Sequence, residues 1–152
     1  GEITRITNPI TIEHTIMRQH LIPGLLRLLA TNQHHNLPQS IYELGTVVRD
    51  HRNIDRVAFL VAERSGGFAA VRGRVQAFMR DLGAENYQVE KLPDGDGPWL
   101  AGRSAKIMIG DIHVGCFGEI DPLIAERFDL RVPINGAEFS LVNLAESISD
   151  PV

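Results

Sequence analysis

Cysteine occurs once in the 152 residues, at Cys116, and tryptophan once, at Trp99. A single thiol excludes an internal disulfide and a zinc cluster built on cysteines, and it suits a reducing compartment. No apolar run approaches the roughly 18 residues that a membrane-spanning helix needs. The amino-terminal GEITRITNP lacks the apolar stretch of a secretory signal. Positive charge is not in excess either. The formal net charge is −4, so a phosphate backbone is repelled on average, which argues against a general nucleic-acid-binding domain. No internal repeat, low-complexity tract or flexible linker interrupts the chain. What remains is ordinary for a globular domain: 43% hydrophobic and 22% charged residues, in a length that fits one domain with a real core. The sequence has no initiator Met and starts in a strand-like run, so residues 1–152 are expected to form a single domain of a longer parent protein.

Periodicity divides the chain into elements. GEITRIT, Gly1–Thr7, alternates and reads as a strand broken by Asn8-Pro9. LIPGLLRLLATNQHHN reads as a helix with Pro23 at its first position. Ile22, Leu25, Leu26 and Leu29 form its apolar stripe, which Leu21 and Leu28 widen. SIYELGTVVRDHRNIDRVAFLVAER reads as strand, charged turn and strand, a hairpin over Ile41–Glu63. GGFAAVRGRVQAFMRDLG is a periodic helix with Phe68, Val71, Val75, Phe78, Met79 and Leu82 on one face and Gly83 beyond its end. Gly73 inside it costs about 1 kcal/mol relative to Ala, which suggests close packing there against another element. Asn86–Leu92 is a short strand, and Pro93–Gly102 a loop holding the tryptophan. Gly110-Asp111 joins two further strands with the type II′ signature. Asp121–Phe128 is a short helix with Asp121 as cap and Pro122 behind it, and GAEFSLVNL closes with a last strand. Hairpin-length turns between most strands predict an α+β fold, an antiparallel sheet with flanking helices.

Few side chains carry chemistry. His34-His35 is adjacent, and neighbours on a helix point about 100° apart and chelate poorly. The i, i+4 spacing of helical zinc pairs is absent, so the pair reads as a polar helix terminus and no metal site is expected. DGDGPWLAGR lacks the order of a phosphate-binding loop. Cys116, flanked by Gly115 and Phe117, reads as a buried inert thiol with no base placed near it. Glu43, Glu63 and Glu119 lie in strand-like runs, where charge is unusual. Either they are solvated on an exposed sheet face, or Glu43, Arg49 and Arg103 line a shared polar cleft. Alternation puts Glu43, Gly45, Val47 and Arg49 on one face, with Tyr42, Leu44 and Val48 on the other.

Two long blocks resemble a known family. NPITIEHTIMRQHLIPGLLRLLATNQHHNLPQSIYELGTVV carries Asn8-Pro9, Arg18, Leu21-Ile22-Pro23-Gly24-Leu25-Leu26, Asn32 and Tyr42-Glu43-Leu44-Gly45. GRSAKIMIGDIHVGCFGEIDPLIAERFDL carries Gly102-Arg103-Ser104-Ala105, Gly118-Glu119 and Pro122. In this order and spacing, from Glu2 to Leu141, they resemble the beta chain of phenylalanyl-tRNA synthetase, in a form nearer the archaeal and eukaryotic type.

The resemblance implies the fold of a class II aminoacyl-tRNA synthetase core, with a long amino-terminal helix expected before Gly1. It implies a cytoplasmic, degenerate copy of the catalytic module that scaffolds a catalytic alpha chain. ATP and Mg are then cofactors of the parent complex and not of this domain, and tRNA(Phe) is met through the complex. No membrane partner is expected. The Ile41–Glu63 hairpin resembles the element that grips ATP in active relatives, with Arg49 near the position of the phosphate-binding Arg. The connection, Asp50–Asp55, is short, and INGAEFSLVNLAES has no Arg or Lys where active relatives carry one. No catalytic residue is therefore assigned; Glu43, Arg49, Arg103 and Glu119 are candidates for lining a vestigial cleft. The alternative is a free-standing paralogue that binds a small molecule in that cleft. The breadth of apolar surface around the Leu21–Leu29 helix leads to a further expectation, self-association of the isolated chain.

Overall fold

The computed structural model of the protein describes residues 20–32, 36–95 and 97–149. The expected strand at Gly1–Thr7 and the His34-His35 pair lie outside the described residues. Six strands form one antiparallel sheet: β1 (Gln39–Arg49), β2 (Arg52–Ala62), β3 (Gln88–Lys91), β4 (Trp99–Ile109), β5 (Ile112–Ile120) and β6 (Ile134–Ser140), in the order β1-β2-β6-β5-β4-β3. Helices α1 (Ile22–Thr31), α2 (Phe68–Asp81), α3 (Pro122–Glu126) and α4 (Leu141–Ser149) flank it. The predicted α+β architecture is the one observed.

The β1–β2 ladder runs unbroken from Gln39 opposite Ala62 to Arg49 opposite Arg52. Only Asp50 and His51 leave it, both with positive φ, 49° and 63°. Two left-handed central residues are the type I′ turn, whose twist matches that of the strands it joins. The connection is therefore two residues and not the six expected, because Arg52–Asp55 belongs to the strand. The Gly110 turn has φ 61°, as its sequence required. The predicted loop Pro93–Gly102 ends early: β4 begins at Trp99, whose indole is buried. The expected last strand ends at Ser140, where the Ser140 hydroxyl accepts a hydrogen bond from the Asn143 N–H at 3.3 Å and starts α4.

Two apolar layers sandwich the sheet. On one face α1 lays Leu21, Ile22, Leu25, Leu26 and Leu29 against Val47, Ala58, Leu60 and Ile134, with Trp99 and Ile120 closing the far side. On the other, α2 and α4 cover Ile107, Phe117, Ala137 and Phe139. The wide apolar surface of α1 is thus used inside the chain. Leu28 alone of the six is exposed, at 45%, which removes the basis for self-association through this helix.

α2 ends in a Schellman motif: Gly83 has φ 78°, its N–H reaches the Arg80 carbonyl, and the Ala84 N–H reaches that of Met79. Val71, Val75 and Met79 are its buried stripe, while Leu82 is exposed. Gly73 packs closely against none of the described residues. A Cβ built there meets no atom within 4 Å, so the expectation of a close approach is corrected. Gly73→Ala is expected to stabilise the domain by about 0.5–1 kcal/mol, since it removes backbone entropy without a clash. Urea unfolding checks this; a loss of stability would mean that the position is constrained.

Candidate functional site

Side chains of the sheet sort by alternation onto the α1 face or the α2 face, and this separates the charged residues into two groups. Glu43 and Arg49 lie on the α1 face. Glu43 opposes Ala58 across the ladder and its carboxylate faces Gly24 of α1. Arg49, at the exposed end of β1, has Nη2 3.5 Å from His20 Nε2. Glu119 opposes Asn135, whose neighbour Ala137 packs under α2. It receives Arg103 Nη1 at 3.0 Å on that opposite face. Glu43, Arg49 and Arg103 therefore do not line one cleft. The expected three-residue site is divided by the thickness of the sheet, and Arg103 is held by Glu119.

The α2 face has a second polar cluster that keeps β2, β6 and α2 in register. Glu63 accepts from Nη1 and Nη2 of Arg74, at 2.8 and 3.2 Å, and from Asn135 Nδ2 at 2.7 Å. The hydrogen bonds from Arg74 hold the Glu63 carboxyl below its ordinary range. Partial burial opposes this, and the Asn135 amide and the Arg74 charge reinforce it. A lowered folded value means that the contribution is present above the unfolded value, about 4.3, and is lost as pH falls through the folded one. The stability difference between the unaltered chain and Glu63→Gln is accordingly expected to be constant near neutrality and to shrink below pH ~4. Denaturation midpoints from pH 7 to 3 read it; a difference that grows on acidification would refute the assignment.

The residues that matter most on the α1 face were not among the expected ones. Glu138 of β6 is 2% exposed and Arg56 of β2 is 8% exposed. Arg56 Nε donates to Glu138 Oε2. The Leu21 N–H, at the amino end of α1, donates to both carboxylate oxygens at 3.1 and 3.2 Å. His20 Nδ1 stands 3.8 Å from the same carboxylate. The sequence carried a faint signal of this: Arg56 interrupts the apolar face of RVAFLVA and Glu138 that of GAEFS. The pairing itself spans 82 positions and is invisible to local reading.

Around this pair lies a small polar cavity of about 160 Å3, bordered by Arg49, His113, Cys116, Ser140 and Asn143. Cys116 is half-buried and not sealed in the core as expected, and its Sγ is 3.4 Å from His113 Nε2. That nitrogen also lies 2.9 Å from the Gly115 carbonyl oxygen. A carbonyl only accepts, so Nε2 carries the proton and is no base for the thiol. The turn at Gly97 and Pro98, together with His20, also borders a larger, mainly apolar groove of about 720 Å3 between α1, Glu43 and the end of α3. Among the described residues, no three His, Cys, Asp or Glu side chains converge to hold a metal ion. No helix there is long and apolar enough to cross a membrane.

An antiparallel sheet whose first hairpin and last strand meet over one polar cleft, with a helix leaving that strand, is the architecture of a class II aminoacyl-tRNA synthetase core. The pyrrolysyl-tRNA synthetase of Desulfitobacterium hafniense superposes with a TM-score of 0.70 over 85% of this chain and 49% of its own, at 16% identity. The sequence narrows the class: residues 1–141 match the phenylalanyl tRNA synthetase beta chain CLM domain, and the chain belongs to that family. It is 38% identical over 93% of its length to the phenylalanine–tRNA ligase beta subunit of Methanothrix thermoacetophila. It is 37% identical over 90% of its length to that of Archaeoglobus fulgidus. It spans 26% and 24% of those two proteins, about a quarter of each.

Proposed function

We propose that this domain is the non-catalytic synthetase-core module of a phenylalanine–tRNA ligase beta subunit, and that it scaffolds the catalytic alpha subunit for aminoacylation of tRNA(Phe) in the cytoplasm. ATP and Mg then serve the parent complex, and this domain holds neither. The observation that carries the reading is the state of the cleft. An adenylating site must neutralise a triphosphate as charge moves to the leaving pyrophosphate. Here Arg56 is committed to Glu138, Arg49 sits at the rim beside His20, and the β6–α4 corner presents Ser140 and Asn143 and no basic residue. These residues do not fit a nucleoside triphosphate.

The purified chain is expected to show no phenylalanine-dependent pyrophosphate exchange above background, and exchange by a purified alpha chain is expected to rise when its complete beta subunit is added. Exchange by this domain alone would overturn the reading. The alternative, a small-molecule-binding paralogue, draws support from the apolar groove of about 720 Å3, which has the size of a ligand site. A thermal-shift comparison with phenylalanine and with ATP separates the two: a saturable rise with either ligand favours the alternative.

A further inference from the structure

We propose that the Glu138 carboxylate is a built-in ligand of the cleft, occupying the one anion position that Arg56 and the amino end of α1 create and so closing it to free phosphates and carboxylates. The inference deepens the non-catalytic reading of the same cleft and rests on it.

The geometry is that of a bound carboxylate. Both oxygens accept from the Leu21 N–H, one also accepts from Arg56, and His20 Nδ1 stands 3.8 Å away on the cleft side. Main-chain N–H at a helix start and a guanidinium are the groups with which proteins hold external oxyanions. Here the occupant comes from the chain itself. Packing gives no reason for an acid at this position. Glu138 opposes Ala58 on β2 and Cys116 on β5, and its two neighbours on the same face of β6 are Gly136 and Ser140. A buried carboxylate is costly unless it meets a cation and hydrogen bonds, and the cationic position is what it meets. A triphosphate entering the cleft would have to expel a carboxylate that the chain holds within hydrogen-bond distance of its partners; the tether gives the internal acid an effective concentration that no free ligand matches.

The test is to empty the position. Glu138→Ala in the 152-residue chain is titrated with sodium acetate and with sodium pyrophosphate against sodium chloride at matched ionic strength, and the midpoint of thermal unfolding is read. The variant is expected to melt lower than the unaltered chain in chloride, and to regain on the order of 5 °C with saturating acetate. A saturable gain with pyrophosphate in the variant alone shows that Glu138 is what keeps phosphates out. The unaltered chain, and the surface variant Glu90→Ala, are expected to show no anion-specific gain. If Glu138→Ala does not fold in chloride, recovery of folded protein on refolding in acetate replaces the midpoint as the readout. No anion-specific gain or recovery in Glu138→Ala, or an equal gain in the unaltered chain, overturns the proposal. Pyrophosphate exchange by the unaltered chain would instead overturn the non-catalytic reading, whatever the anion titration gives.

Discussion

Arg56→Met is expected to cost about 3–5 kcal/mol of unfolding free energy, the range for removing one partner of a buried ion pair. The loss comes less from the attraction removed than from the charge left behind. Glu138 is 2% exposed. Among the described residues its carboxylate then keeps the Leu21 N–H and His20 close by, a poorly compensating site for a buried charge. The second variant that gives the experiment its force is the pair Arg56→Met with Glu138→Leu. Replacing both buried charges by apolar groups of similar volume is often neutral or stabilising, so the double variant is expected to recover most of the loss. Urea denaturation of the two single variants and the double variant completes the cycle. Additive losses would show that the two side chains do not act on each other.

Gly136→Ala is expected to be more damaging still, costing about 4 kcal/mol or more, beyond the usual 1–3 kcal/mol of overpacking. A Cβ at this position would stand 2.2 Å from the Phe59 carbonyl oxygen and 2.6 Å from Leu60 Cδ2. The first obstacle is main chain. β6 is hydrogen-bonded to β2 on one side and to β5 on the other, so neither it nor its neighbour can retreat without breaking a ladder. Across β5, Gly136 opposes Gly118, so two residues without side chains meet at the centre of the sheet. Gly73→Ala is the matched control: the same change, with nothing within 4 Å of the new methyl, has the opposite sign. Equal effects of the two substitutions on the denaturation midpoint would refute the steric account.

Much of the secondary structure was legible because its causes are local. The turn at Gly110, the Schellman end at Gly83 and the Asp121 cap, which accepts from the Leu123 N–H at 2.9 Å, each depend on a few adjacent residues. The errors are local readings overruled at a distance. The charged tip DHRNID looked like a six-residue connection, and pairing with β1 drew four of its residues into β2. Gly73 looked like a contact because a mid-helix glycine usually has a reason, and here none is found among the described residues. The breadth of apolar surface on α1 looked like an interface until the sheet below and the Trp99 and Ile120 side of the core were seen to cover it.

The candidate site shows the same division more sharply. Alternation alone placed Glu43 and Arg49 on one face of β1, because the pleat has period two whatever the strand's neighbours are. Nothing in the order of residues told whether Arg103 lies on that face, since the answer depends on how β2, β6, β5 and β4 follow one another across the sheet; the strand order puts Arg103 and Glu119 under α2. Composition, periodicity, turns and the two long blocks of resemblance were properties of the sequence by itself. They determined the α+β class and the family, because each rests on neighbouring residues or on a linear pattern. The meeting of Arg56 with Glu138 and the Leu21 N–H, and the splitting of the expected cleft, were decided only by the tertiary structure. A contact between residues 82 positions apart depends on strand order and register, and those are set by the burial of both sheet faces at once.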